Sequence, residues 1–245
     1  MVYEFDSRVR YSETDREKNL TLVSLVDYFQ DCSTFQSELL GRGLDYMDKL
    51  QRAWMILSWQ IEILRLPVLC EKIRIQTWAY DFKGFYGMRN FAMLDEHGNY
   101  LAKANSVWVF MDTVTGHPDR IPPEVGEIYG SEPRLDMEYF SRKIKAPQNC
   151  ERKDTFSVCR HHLDTNGHVN NGQYIRMAEE YLPEHFRVSR LRVEYRNQAY
   201  LYDVVVPMVS VQEHETVVML CSEEGKPYAI VAFEEDTTNS ENKEE

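Results

Sequence analysis

The sequence predicts an α+β protein made of two copies of one unit, in which an antiparallel sheet wraps around a helix. Residues 9–15 align with residues 158–164, an offset of 149 residues, and weaker matches follow at offsets of 132 and 127 residues. In each half, the spacing of apolar residues then changes from the 3.6-residue period of a helix to the two-residue period of strands. A helix that is apolar over a wide arc needs a sheet to cover it, so each half is expected to form an α+β domain.

The first copy opens with its helix. Apolar residues recur at steps of three and four from about residue 21 to residue 40. Asn19 or Thr21 is expected to cap the start of this helix, and Gly41 and Gly43 to end it. Alternating apolar residues then predict strands at about residues 57–63, 73–78, 88–94 and 101–111.

The second copy repeats this order with a shorter helix at about residues 174–181, followed by strands at about residues 191–195, 204–211, 216–221 and 228–233. Two such units in one chain predict an internal pseudo-dimer with a continuous sheet. The expected boundaries are an N-terminal domain (1–117), a proline-rich connector (118–152), a C-terminal domain (153–233) and a disordered acidic tail (234–245).

Composition excludes several classes of function. The 28 Lys and Arg residues against 40 Asp and Glu residues give a formal net charge of −12, which disfavours nucleic-acid binding. Apolar runs are too short to span a bilayer, so no membrane insertion is expected. The first residues resemble neither a signal nor a transit peptide. The five cysteines form no CxxC pair and indicate a reducing compartment, so a cytoplasmic location is expected.

The strongest candidate for chemistry is the segment at residues 164–171, directly before the second helix. Asp164, Asn166 and His168 occupy alternate positions, and a helix start supplies N–H groups suited to an oxyanion. A carboxylate, an amide and an imidazole are the groups needed to activate water or form an acyl intermediate. The alternative is a helix-capping loop whose polar groups satisfy turn amides.

This segment resembles the DxNxHVNN signature of acyl-ACP thioesterases, which are tandem hotdog enzymes of plant plastids and bacteria. Residues 193–196, Val-Glu-Tyr-Arg, resemble a later strand of the family. The resemblance implies hydrolysis of fatty acyl-[acyl carrier protein] to free fatty acid in fatty-acid biosynthesis. It also implies two tandem hotdog domains, acyl carrier protein as the partner, and no metal or other cofactor.

The resemblance also assigns roles to single residues. Asp164 acts as a nucleophile or orients and activates water, Asn166 holds the thioester carbonyl or the water, and His168 acts as general acid or base. Amides at the helix start stabilise the oxyanion. Asn170 is assigned to substrate binding.

Two adjacent positions depart from the plant enzymes. Where they carry a Glu-Cys pair, this chain has Gln198 and Ala199. Glutamine can position water and contact substrate but cannot remove a proton, and alanine is not a nucleophile. A Cys–His mechanism at this position is therefore excluded, and Asp164 is expected to carry more of the reaction.

The first copy retains Asp15 but has Glu17 and Asn19 in place of the amide and the imidazole, so it is expected to be catalytically silent. In the family this half shapes the acyl pocket, and Trp54 is a candidate for its wall. Because acyl carrier protein is acidic, docking needs a local basic patch. Two clusters are candidates: the connector residues Arg142, Lys143, Lys145, Arg152 and Lys153, or Arg187, Arg190, Arg192 and Arg196.

Other activities stay open. The two alternative functions are those of a hotdog thioesterase that acts on acyl-CoA and of a non-catalytic protein that binds acyl groups. A hotdog dehydratase would not need the Asp-x-Asn-x-His turn. His161 and His162 match no zinc-site spacing, so no metal site is expected. The sequence leaves the acyl chain length and a homodimer open.

Overall fold

The computed structural model describes residues 1–164 and 166–237. The chain divides into two compact units, Met1–Phe140 and Ser141–Glu245. The division falls inside the expected connector, so residues 118–140 are part of the first unit.

The first unit is an antiparallel sheet with helices. The elements are β1 (Tyr3–Arg8), α1 (Leu22–Leu39), α2 (Leu44–Lys49), β2 (Arg52–Ile63), β3 (Lys72–Lys83), β4 (Tyr86–Asp95), β5 (Tyr100–Asp112) and α3 (Pro123–Tyr129). The strands lie in the order β1-β3-β4-β5-β2.

The second unit repeats this plan. Its strands lie in the order β8-β11-β10-β9, and two short strands, β6 and β7, pair with β9 where β1 pairs with β3 in the first unit. The elements are β6 (Glu151–Arg152), β7 (Phe156–Ser157), α4 (Asn171–Glu179), β8 (Val188–Tyr195), β9 (Val204–Val211), β10 (Glu215–Cys221) and β11 (Pro227–Glu235). The pairing register is also repeated, because Arg8 faces Lys72 and Ser157 faces Val204 at the offsets found in the sequence.

Helix α1 forms where the periodicity predicts it. Thr21 caps its start by accepting a hydrogen bond of 3.2 Å from the backbone N–H of Ser24. Phe29 is fully buried, and its ring centroid lies 6.1 Å from Trp59 and 5.3 Å from Phe91. Burial of these aromatic rings between the helix and the sheet contributes to the stability of the first core.

Two short helices were not expected. Gly41 adopts a left-handed φ of +65° that ends α1, and α2 begins directly after Gly43. Helix α3 lies in the segment expected to be a connector. It is anchored by Val125 and Tyr129, which are buried against Ala79 of β3.

The C-terminal boundary also differs from the expectation. Strand β11 continues to Glu235, and Glu234 pairs with Arg190 of β8 at 2.5 Å. The expected tail therefore starts later than residue 234, and its residues 238–245 lie outside the described part of the chain. Within residues 1–164 and 166–237, none of the helices combines the length and apolar character needed to cross a bilayer.

We expect Phe29→Ala to lower the free energy of unfolding by about 3–5 kcal/mol, since it leaves a cavity against two other rings. Leu39 on the same helix is 71% exposed, so Leu39→Ala should change stability by less than about 0.5 kcal/mol. Urea denaturation measures both changes. Equal losses would contradict the assignment of Phe29 to the core.

Candidate active site

The carboxylate of Asp164 folds the candidate segment into a tight turn. Its Oδ1 atom accepts hydrogen bonds from the backbone N–H groups of Asn166, at 2.8 Å, and His168, at 3.1 Å. The N–H of Asp164 donates to the carbonyl oxygen of His168 at 2.7 Å. Gly167 takes a left-handed φ of +77°, which glycine adopts without strain. The turn therefore fixes the backbone at the two positions that carry the amide and the imidazole.

Two backbone hydrogen bonds attach this turn to its surroundings. The N–H of Val169 donates to the carbonyl of Ala199 at 3.0 Å, and that of Asn170 donates to the carbonyl of His162 at 2.8 Å. The side chain of Asn170 accepts from the N–H of Gly172 at 2.8 Å, so it caps α4. Its contact here is a helix cap. A role of Asn170 in substrate binding stays a prediction.

The amides at the helix start are already engaged, which bears on the expected oxyanion site. Besides the groups described above, Gly167 donates to the carbonyl of Asp164 at 3.1 Å and Gln173 to the carbonyl of Asn170 at 2.9 Å. The N–H groups of residues 166–170, 172 and 173 thus all have acceptors within the protein. An oxyanion at this place would therefore have to rely mainly on side chains, and the side-chain amide of Asn166 is exposed.

An aromatic residue that the sequence did not single out joins two of the predicted site residues. The ring of Tyr200 meets the imidazole of His168 edge-on, with 5.1 Å between centroids. Its hydroxyl donates to Oε1 of Gln198 at 3.3 Å. Asp203 holds Tyr200 in turn, by accepting from its N–H at 2.8 Å. The structure thus brings Gln198 close to His168, and an exposed tyrosine just after that glutamine was the available signal.

Tyr174 fixes the position of Ala199. Its hydroxyl accepts a hydrogen bond of 3.1 Å from the N–H of Ala199, which is fully buried. Burial raises the pKa of Tyr174 above its usual range, so the phenol stays neutral at physiological pH. Ala199 is therefore a packed residue beside the loop.

The first copy builds the same turn without the same side chains. Oδ1 of Asp15 accepts from the N–H groups of Glu17, at 2.8 Å, and Asn19, at 2.9 Å. The N–H of Asp15 donates to the carbonyl of Asn19 at 2.9 Å, and Lys18 has the left-handed φ of +68° found at Gly167. The aspartate hydrogen bonds therefore build the loop in both copies, and only the second copy carries an imidazole on it.

Trp54, the predicted pocket residue, belongs to the first unit. Its ring lies 5.0 Å from that of Phe110 and 6.4 Å from that of Phe82, centroid to centroid. Gly87 permits this packing, because a Cβ there would lie 3.1 Å from the indole. The indole N–H is buried without an acceptor among the described residues. Contact of Trp54 with an acyl chain stays a prediction.

The paired histidines lie beside the loop. The rings of His161 and His162 are 4.2 Å apart, and Nδ1 of His162 accepts from the N–H of Cys159 at 3.0 Å. Burial lowers the pKa of His162, and the electrostatic effects of His161 and Arg176 act in the same direction. His162 is therefore a neutral acceptor that holds the turn.

Family models match both units. The model of the acyl-ACP thioesterase N-terminal domain matches residues 1–129, and that of the C-terminal domain matches residues 145–231. The chain belongs to the acyl-ACP thioesterase family.

Individual relatives agree with this assignment. The chain is 27% identical over 239 residues to a chloroplastic palmitoyl-acyl carrier protein thioesterase of Gossypium hirsutum, covering 88% of this chain and 56% of the relative. It is 26% identical over 219 residues to the chloroplastic oleoyl-acyl carrier protein thioesterase 1 of Arabidopsis thaliana, covering 80% of this chain and 60% of the relative. The chain thus spans less than two thirds of the length of either plant protein.

The fold is shared with solved members of the family. A crystal structure of an acyl-ACP thioesterase from Bacteroides thetaiotaomicron superposes with a TM-score of 0.88 at 23% identity, covering 96% of this chain and 98% of that one. Both are double hotdog α+β folds, as the sequence predicts.

We expect Asp15→Ala and Asp164→Ala to lower the free energy of unfolding by similar amounts, about 1–2 kcal/mol, because each removes one acceptor of two amides. Asp15→Asn and Asp164→Asn retain a side-chain oxygen and serve as controls with smaller losses. Urea denaturation and hydrogen exchange at the four amides measure the effect. A loss confined to one copy would show that the two loops differ in construction.

Proposed function

We propose that this chain hydrolyses the thioester between a fatty acyl chain and acyl carrier protein, and so releases free fatty acid in fatty-acid biosynthesis. Membership of the family supports this activity. The observation that carries it is the turn at Asp164, which holds Asn166 and His168 two residues apart on a rigid frame. We place the reaction in the cytoplasm, in keeping with the sequence pattern of the cysteines.

In the proposed reaction, His168 acts as the general base. It takes a proton from water, whose oxygen attacks the thioester carbonyl carbon. The carbonyl oxygen becomes an oxyanion, to which the side-chain amide of Asn166 donates. When the C–S bond breaks, His168 returns the proton to the leaving sulfur. Gln198, oriented by Tyr200, positions the water.

Asp164 is a positioning residue in this scheme. Its Oδ1 already accepts two backbone amides, and Asp15 makes the same hydrogen bonds in a copy that lacks the imidazole. The carboxylate therefore contributes the geometry of the loop in both copies. The alternative is that Asp164 itself attacks the thioester or activates the water.

The test of the activity is release of fatty acid from acyl-ACP and acyl-CoA donors of matched chain length. We expect a preference for acyl-ACP, and a loss of about 100-fold or more in kcat with His168→Gln, because no base remains at that position. Asn19→Gln changes the equivalent residue of the first copy and should retain activity within about threefold. Preference for acyl-CoA would favour the alternative function, a hotdog acyl-CoA thioesterase. Acyl binding without turnover would establish a binding protein.

The role of Asp164 is decided by comparing two substitutions. Asp164→Asn retains an acceptor for both amides, so we expect kcat to fall less than about tenfold. Asp164→Ala removes the acceptor and should reduce kcat by about 100-fold, since misplacing reacting groups by about 1 Å has that effect. Steady-state kinetics with acyl-ACP give both values. Equal losses in the two variants would assign the carboxylate itself to the reaction.

A further inference from the structure

Exposed cationic residues lie beside the candidate loop in the second unit. The 3-10 turn Arg160–His162 is joined to the loop by the hydrogen bond from Asn170 to the carbonyl of His162. Arg160 and His161 are exposed in this turn, and Arg176 is exposed on α4. Within residues 1–164 and 166–237, neither arginine has a carboxylate at ion-pair distance.

Two of these side chains, His161 and Arg176, lie near His162. The ring of His161 contacts that of His162. Arg176 lies close enough to act electrostatically on the same imidazole and helps lower its pKa. The turn and the exposed side of α4 therefore both lie near His162.

The first copy shows that the backbone does not require these charges. At the same offset of 149 residues, Arg160, His161 and His162 correspond to Tyr11, Ser12 and Glu13, and Arg176 corresponds to Asp27. The backbone hydrogen bond is retained, since Thr21 donates to the carbonyl of Glu13 at 2.9 Å. At these four equivalent positions, arginines occur only in the copy that carries the imidazole.

The basic clusters expected from the sequence are partly engaged within the second unit. Arg196 pairs with Glu194 at 3.0 Å, and Lys153 pairs with Glu151 at 2.6 Å. Arg192 donates to the carbonyl of Ser141 at 2.8 Å, and Arg190 pairs with Glu234. Paired charges contribute less to the attraction of a separate molecule than unpaired ones.

We propose that Arg160, His161 and Arg176 form a docking face for the acidic carrier protein that presents the acyl thioester. The inference rests on the proposed function. A chain with a net charge of −12 repels an acidic partner unless a local positive surface opposes that repulsion. The docking face supplies this surface next to the loop that carries His168.

Exposed aromatic rings extend the docking face. Tyr200 is 51% exposed and Tyr202 is 68% exposed, and the N–H of Tyr202 donates to the carbonyl of Val158 at 3.0 Å, close to the 3-10 turn. Exposed tyrosines beside arginines are typical of protein interfaces. Cations spread over a turn and a helix face suit a protein surface with several carboxylates better than a single phosphate group.

The test is the double charge reversal Arg160→Glu/Arg176→Glu in the full chain. We expect the Kd for the carrier protein, measured by calorimetry, to rise about tenfold or more, and its salt dependence to weaken. The loss of kcat/KM on acyl-ACP should exceed that on acyl-pantetheine, which lacks both protein and phosphate, by a similar factor. Lys49→Glu/Lys83→Glu makes the same change of charge at exposed positions of the first unit and serves as the matched control.

Each contrary outcome overturns the docking face. An unchanged Kd would show that these arginines do not bind the carrier protein, and an equal rise in the control variant would show only a general effect of charge. An equal loss on acyl-pantetheine would place the arginines in the reaction, and an equal loss on acyl-CoA would assign them to the phosphate of the arm. If the wild type binds the carrier through these arginines but releases no fatty acid, the docking face stands and the proposed function fails.

Discussion

The structure of the candidate site depends on one interaction, the acceptance of two backbone N–H groups by a single carboxylate oxygen of Asp164. This interaction closes a turn and sets the backbone positions of Asn166 and His168. The same turn leads into the cap of α4 and is tied to Ala199 by a backbone hydrogen bond. Because a strand connection and a helix start meet here, the loop is held by the sheet and the helix together. A loop held in this way needs little reorganisation when a ligand binds.

The same hydrogen bonds determine which groups remain available for chemistry. A helix N-terminus usually offers unpaired N–H groups to an anion. Here the amides of residues 166–170, 172 and 173 have acceptors within the protein, so the backbone provides the frame and the side chains provide the polar contacts. Tyr200 extends this arrangement by placing its ring against His168 and its hydroxyl on Gln198. In the proposed reaction, the chemistry therefore depends on an amide and an imidazole whose positions are set by Asp164 and Tyr200.

Features encoded over short stretches of sequence could be predicted. The periodicity and the Thr21 cap located α1, and the repeat located the second unit and the loop. Helix α2 could not be predicted because six residues are too few to show a period. Helix α3 could not be predicted because it lies in a proline-rich stretch, and its contact with the sheet through Val125 and Tyr129 has no sequence pattern. Contacts between segments that are far apart in the sequence could not be predicted, because no local pattern encodes them. The pairing of Tyr200 with His168, and the engagement of the helix amides, depend on how the β8–β9 connection meets the loop.

The loop at Asp15 has a consequence for how such a protein can change. It keeps the backbone structure of the loop at Asp164, although Glu17 and Asn19 occupy the positions equivalent to Asn166 and His168. Construction and chemistry are thus separate properties of this motif, carried by different positions. After an internal duplication, one copy is free to vary at the chemical positions while the aspartate preserves its folding. The two halves of such a protein can therefore take different roles while both keep the same loop structure.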